Sequence, residues 1–227
     1  MLDIRIDDYF ASDFNMCMVE RPKIPTAKRE VEYIKVPGRH GSLTKKGAFE
    51  DVPLTIKFNL LEDENAKPLI RRIKSWLLNG KVLHFDDDVV YRKIKNVEID
   101  DIENQIEEYG GFEATFTFDP FEYVEDETII LTTPGVLYNP GTEKSDPKIV
   151  IAGSGTVNIT INDVTFQVKD IVDSVIIDSE LLEAYKGTTN MNNKMIGNFP
   201  VFDVENNSIT WTGTVQSLTI TPRWRYI

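Results

Sequence analysis

With 227 residues, 41% of them apolar and 27% charged, the chain is long enough to bury a sizeable core as one large domain or two small ones, and too apolar for a disordered tail. The formal charge of -12 is spread along the chain: residues 1–125 carry 18 basic against 25 acidic side chains, and residues 126–227 carry 7 against 12. Neither half therefore reads as a nucleic-acid-binding domain. Cys17 is the single cysteine, which excludes an internal disulfide and a thiolate metal cluster within one chain. The opening MLDIRIDDYF lacks the basic-then-apolar pattern of a signal peptide, and no apolar run approaches the roughly 20 residues of a membrane helix. The expectation is a protein made in a cytoplasm that stays soluble.

Residues 30–36 are β-rich but alternate poorly. They lead into Gly38-Arg39-His40-Gly41, with Lys45 and Lys46 just beyond. A phosphate cradle needs such glycines at a strand-to-helix junction. Here a second strand follows, so the stretch reads as a glycine-enabled turn with a basic tip, suited to gripping a neighbouring subunit. Residues 52–60 alternate cleanly, with Val52, Leu54, Ile56, Phe58 and Leu60 on one face, and Pro53 near the start suits a strand beginning or an edge. Phe112, Ala114, Phe116 and Phe118 repeat the pattern over 112–118.

One helix is predicted, over about 64–79, from the stripe Leu69, Ile70, Ile73, Trp76 and Leu77. Pro68 fits its first turn, Glu62 to Glu64 its positive end, and Gly80 its C-terminal cap. After Asp119-Pro120-Phe121 the chain becomes turn-rich over 133–147, TPGVLYNPGTEKSDP, which marks a domain boundary. Short strands follow at 148–152, 156–161, 164–169, 174–178, 208–212 and 216–221, with a helical turn expected at 180–186. Such spacing predicts a β-sandwich or jelly roll. The fold class is mainly β: an N-terminal β-rich domain with one helix over 1–130, and a sandwich over 131–227. The ending PRWRYI suggests a terminus docked against something, the first domain being one candidate.

Chemistry is poorly supported. Asp86 to Asp88 lack the alternating acids and glycine of a calcium loop. The acidic cluster at 98–108 invites a glycosidase reading, but spacing alone cannot place two carboxylates at working distance. His40 and His84 have no partner motif for a triad or a zinc site, and no serine sits in a nucleophile elbow. No catalytic, metal or cofactor residue is assigned. Trp211, Trp224 and Tyr226 could line a sugar-binding face, although Trp211 alternates with Ile209 in a way that suggests burial.

Several stretches together resemble the distal tail protein family of siphophages that infect Gram-positive bacteria. They are VPGRHGSL at 36–43, FTFDPFEY at 116–123, NPGTEKSDPKIVIAGSGTVNITIN at 139–162, VIIDSELLEAY at 175–185, MIGNFPVF at 195–202, ITWTG at 209–213 and TPRWRYI at 221–227. They run in the family's order across nearly the whole chain. The resemblance implies that the sandwich is galectin-like and that six copies close into a ring at the tail tip of a virion. It implies a ring joining the tail tube protein to the tail-associated host-contact protein, with a channel that lets DNA through, no catalysis, no specific nucleic-acid binding and no membrane. Gly38, Arg39, His40, Gly41, Lys45 and Lys46 would then belong to a projecting strand pair at the subunit interface. The second domain has no room for the long insertion of some members, so a receptor-binding arm is not expected. A carbohydrate-binding module for host cell-wall polysaccharide is the alternative, and a cell-wall hydrolase fragment is a weaker third.

Overall fold

The computed structural model describes residues 2–61, 67–101, 110–125 and 127–227. The chain divides into two compact units, Met1–Glu122 with Ile227, and Tyr123–Tyr226. The division falls before the expected 130 because Ile129–Leu131 is already a strand of the second unit's sheet.

The first unit contains β1 (Ile4–Ile6), β2 (Tyr9–Phe10), β3 (Met16–Met18), β4 (Arg29–Lys35), β5 (Ser42–Phe49), β6 (Val52–Leu60), α1 (Lys67–Asn79), β7 (Val82–Phe85) and β8 (Val90–Ile99). β9 (Gly111–Val124) runs on into the second unit. One sheet has the order β2-β1-β7-β8-β9-β6-β3, while β4 and β5 pair only with each other. The alternation over 52–60 exists because one face of β6 is core: Val52, Leu54, Ile56, Phe58 and Leu60 are buried. The register sets Leu54 opposite Phe116, Ile56 opposite the small Ala114 and Phe58 opposite Phe112. The Phe58 and Phe112 rings stack at 5.4 Å. β3 pairs only with residues 58–60, so Pro53 lies where β6 is an edge and its missing N–H breaks no ladder there.

The helix begins at Lys67 among the described residues; residues 64–66, and the acidic positions 62–64 expected at its positive end, lie outside them. Ile73 and Leu77 are fully buried, and Leu69, Ile70 and Trp76 pack around them. The Trp76 indole N–H donates to Ile6 O at 3.2 Å and its ring stacks on Phe14 at 4.7 Å, fixing the helix over the β1 side of the sheet. Gly80 is not among the positive-φ residues, so it does not cap the helix in the left-handed form; a Cβ there would lie 2.3 Å from Ile6 Cγ2, and glycine is needed for space.

The second unit holds β10 (Ile129–Leu131), β11 (Gly135–Asn139), β12 (Lys148–Ile161), β13 (Val164–Ile171), β14 (Ser174–Asp178), β15 (Glu183–Lys186), β16 (Thr189–Asn190), β17 (Met195–Ile196), β18 (Glu205–Thr221) and β19 (Arg225–Tyr226). β12 and β18 are long partners that each serve two layers. The 148–152 half of β12 lies between β14 and residues 217–221, whereas its 157–161 half lies between β13 and residues 209–212. Register shifts at Ala152/Gly153 and Ser154/Asn158 are the bulges where the pair bends from one layer to the other. Ile149, Ile151, Val175, Ile177, Leu218 and Ile220 from one layer share a core with Val157, Ile159, Ile161, Phe166, Val168 and Ile209 from the other. The result is a β-sandwich. The segment 180–186 is not a helical turn: Leu182 takes φ 53° and the chain reverses into β15, which pairs with β14.

Two polar devices close this unit. Asn207 is fully buried, yet both ends of its amide are satisfied. Its Oδ1 accepts from Asp203 N at 2.7 Å and Asn162 Nδ2 at 3.1 Å, and its Nδ2 donates to the Asp203 and Glu205 carbonyls at 2.8 and 3.0 Å. At the C-terminal end, Trp224 is buried against Phe202, and Arg223 forms a two-pronged pair with Asp178 at 2.7 and 3.0 Å. Burial alone would raise the Asp178 pKa. The hydrogen bonds and charge of Arg223, with the Leu181 and Glu180 amides, outweigh it and hold the carboxyl below its usual value.

Candidate assembly surface

β4 and β5 form a hairpin whose turn is dictated locally. Arg39 N–H donates to Val36 O at 3.2 Å, closing a four-residue turn with Pro37 and Gly38 at its centre. Gly38 has φ 79°, the position that a type II turn reserves for a residue without Cβ, and Gly41 follows with φ 76°. A Cβ at either position would meet nothing within 4 Å, so backbone geometry alone calls for glycine there. Arg39, His40, Lys45 and Lys46 are all exposed around this tip, and no anion cradle is built, because the second flank is β5.

The hairpin is unusual in lacking an inner face. Directly opposite residues share a face, which puts Glu32 with Lys45 and Ile34 with Leu43 on one side, and Val31 with Lys46, Tyr33 with Thr44 and Lys35 with Ser42 on the other. Tyr33 is 68% exposed, and Ile34, Val36 and Leu43 are exposed too. Its ion pair Glu32–Lys45, at 3.6 Å, is open to solvent and contributes little. A two-stranded ribbon with no sheet behind it is marginal on its own. Its root is nevertheless firmly held: Arg29 Nε donates to Gly47 O at 2.9 Å, the Arg29 guanidinium lies 4.9 Å from the Phe49 ring centre, and Phe49 meets Phe121 edge-on at 5.9 Å. Residues 28–50 carry six Lys or Arg against three Glu, in a chain whose net charge is -12.

The other candidate chemistries gain nothing. Asp86 to Asp88 form the turn between β7 and β8, where Asp87 pairs with Arg21. Most of the 98–108 cluster lies outside the described residues; Glu98, Asp100 and Asp101 are exposed. Among the described residues no group of three His, Cys, Asp or Glu could hold a metal ion. The sugar-binding face that Trp211, Trp224 and Tyr226 could have lined does not form, since Trp224 is core and Trp211 and Tyr226 are half-buried. Tyr138 on β11, which the sequence reading passed over, is the aromatic that the second unit exposes, at 63%. Arg92 is 7% exposed, paired with Glu122 and 5.8 Å from the Phe118 ring centre. Burial pulls its pKa down, with Glu122 opposing.

No protein-family model and no curated protein matches the chain. Among solved structures it matches the crystal structure of the Dit protein (gp 19.1) of SPP1, described as a paradigm of the hub adsorption apparatus in phages infecting Gram-positive bacteria. The TM-score is 0.71 at 14% identity, covering 97% of both chains. The chain shares the fold of SPP1 Dit. The baseplate of phage p2 in its activated conformation also matches, with strontium at TM-score 0.45 and 11% identity and with calcium at 0.45 and 12%, over 97% of this chain and 98% of the other. At such identity the SPP1 likeness is one of architecture, and function has to be argued from the surface. No described helix is long and apolar enough to cross a membrane.

Proposed function

We propose that this protein is a structural hub of a phage tail tip, a distal tail protein whose copies close into a hexameric ring. The ring joins the tail tube protein to the tail-associated host-contact protein and leaves a channel for DNA. The observation that carries the reading is the hairpin. Apolar side chains on both faces of a projecting ribbon gain nothing in the isolated chain, and become intelligible once neighbouring copies cover them. The architecture shared with SPP1 Dit, itself described as a hub protein, supports the same reading, as does the resemblance of VPGRHGSL and the other stretches. We read the sandwich as galectin-like in form and without lectin activity.

Ring closure needs two different complementary patches per copy, repeated head to tail. One patch is the hairpin, with Arg39, His40, Lys45 and Lys46 around the tip that Gly38 and Gly41 shape. The role requires no catalysis, cofactor or metal. DNA carries one negative charge per about 1.7 Å of helix axis, so a channel lined by acidic or neutral residues lets it slide where a basic one would retain it. Electron microscopy of the purified protein tests the reading directly: six-fold rings with a central hole are expected. Avid binding of cell-wall polysaccharide by a monomer would instead favour the carbohydrate-binding alternative, for which Tyr138 is an exposed aromatic of the second unit.

A further inference from the structure

β11 is an edge strand of the sandwich. It pairs with residues 205–209 of β18, and no strand lies on its other side among the described residues. The ladder beyond β18 fixes which main-chain groups face that open side. Ser208 O accepts from Asn162 N at 2.8 Å and Ser208 N donates to Asn162 Oδ1 at 3.0 Å, so Ser208 points towards β12. Its neighbours Asn207 and Ile209 therefore point the other way, at Leu137 and Gly135. Val136 and Tyr138 are left with their N–H and C=O groups directed outward, and no turn or side chain bonds them among the described residues. The same two side chains are 61% and 63% exposed, while Leu137 between them turns into the core. Soluble proteins blunt such an edge with charge, a bulge, an internal proline or brevity. β11 has five residues, an unbroken register against β18 and no proline within it, and residues 128–142 carry no charged side chain. By contrast β10, β16 and β17, edge strands of the same unit, have only two or three residues.

We infer that β11 pairs with β11 of a second copy, antiparallel about a two-fold axis at Leu137. The stretch Pro134-Gly135-Val136-Leu137-Tyr138-Asn139-Pro140 is symmetric for this purpose, with a proline at the same distance on either side of Leu137. Centred there, Val136 of each copy faces Tyr138 of the other. Every outward N–H and C=O of the two residues then finds a partner, and the valine–tyrosine pairs lie side by side on the outer face, a favourable aromatic–β-branched combination. Moving the axis to Val136 sets Tyr138 against Pro134, and moving it to Tyr138 sets Val136 against Pro140. In either case a carbonyl faces a ring that has no N–H, so the flanking prolines select the register. The uncharged stretch brings no like charges together across the axis. The contact is isologous, whereas ring closure is head to tail, so it joins copies that a ring does not join and stands apart from the ring reading.

The test uses the full chain in a Cys17→Ser background, with Val136→Cys and Tyr138→Cys made separately at these exposed positions. Facing Cα atoms of a hydrogen-bonded antiparallel pair lie about 5.5 Å apart, within disulfide reach, whereas identical positions across this axis are diagonal neighbours about 7–8 Å apart, at or beyond its limit. Oxidation of the two variants mixed should therefore give at least about tenfold more linked dimer than oxidation of either alone. In the wild type, hydrogen exchange at the 136 and 138 amides should slow about tenfold as concentration rises, and Val136→Lys should abolish that change while leaving the circular dichroism spectrum as it is. Equal linkage in all three samples, or no linkage while the wild type forms rings, overturns the pairing and leaves the ring reading standing. Linkage confined to the mixture, in a protein that forms no ring, supports the pairing and brings down the ring reading instead. Amides that slow only when another tail protein is added give the edge to that protein and overturn the inference.

Discussion

Two antiparallel strand pairs of the first unit, β6–β9 and β4–β5, make a useful contrast. In β6–β9 every second residue is buried, so the two-residue period is sharp and Phe58, Phe112, Phe116 and Phe118 build a core on one face. In β4–β5 both faces meet solvent, and Val31, Tyr33, Ile34 and Leu43 fall on either side without a period. The blurred alternation is thus itself informative. A strand that answers to one buried face writes a clean pattern; a ribbon with both faces open to solvent does not.

The contrast breaks most visibly in the core. Phe116→Ala should cost about 3–5 kcal/mol of unfolding free energy in a denaturant titration, because it empties a fully buried site opposite Leu54. Tyr33→Ala or Leu43→Ala should change the same quantity by no more than about 0.5 kcal/mol, while weakening self-association. Equal destabilisation by both sets would mean that the hairpin is already packed within one chain.

A second test lies in the sandwich. Arg223→Ala should cost about 3 kcal/mol by leaving the buried Asp178 carboxylate unpaired. The folded Asp178 pKa lies below the ordinary 3.8, so its contribution is present above that value and is lost as pH falls below it. The stability gap between wild type and Asp178→Asn should therefore be wide at pH 7 and narrow towards pH 3. Gly38→Ala places a Cβ at φ 79° and should loosen the turn by about 1 kcal/mol, read as faster proteolysis between 36 and 42. The smallest effect is expected at the rim: Lys45→Ala with Lys46→Ala should leave stability within about 0.5 kcal/mol and flatten the salt dependence of assembly.

What the sequence reveals follows from how local each feature is. The strand 52–60, the helical stripe and the turn at Gly38 are written in consecutive residues and are legible there. β12 and β18 look like four separate strands because Gly153-Ser154-Gly155-Thr156 and Gly213-Thr214 interrupt the alternation where the paired strands bend. The run PRWRYI reads as a docked end without saying onto what, and only the sandwich shows its arginines engaged with Asp178 and Asp146 while the Trp224 indole turns inward. The cavity beneath residues 21–25 is beyond sequence reading altogether, since residues 54, 83–92 and 122 reach it only when the sheet forms.

The central claim is that this protein acts by contact with copies of itself. Sedimentation of the purified full chain at rising concentration tests it most directly, with imaging of whatever species form. A closed six-copy species with a central hole is the expected result, and a single particle of 25.9 kDa at every concentration and salt would contradict it.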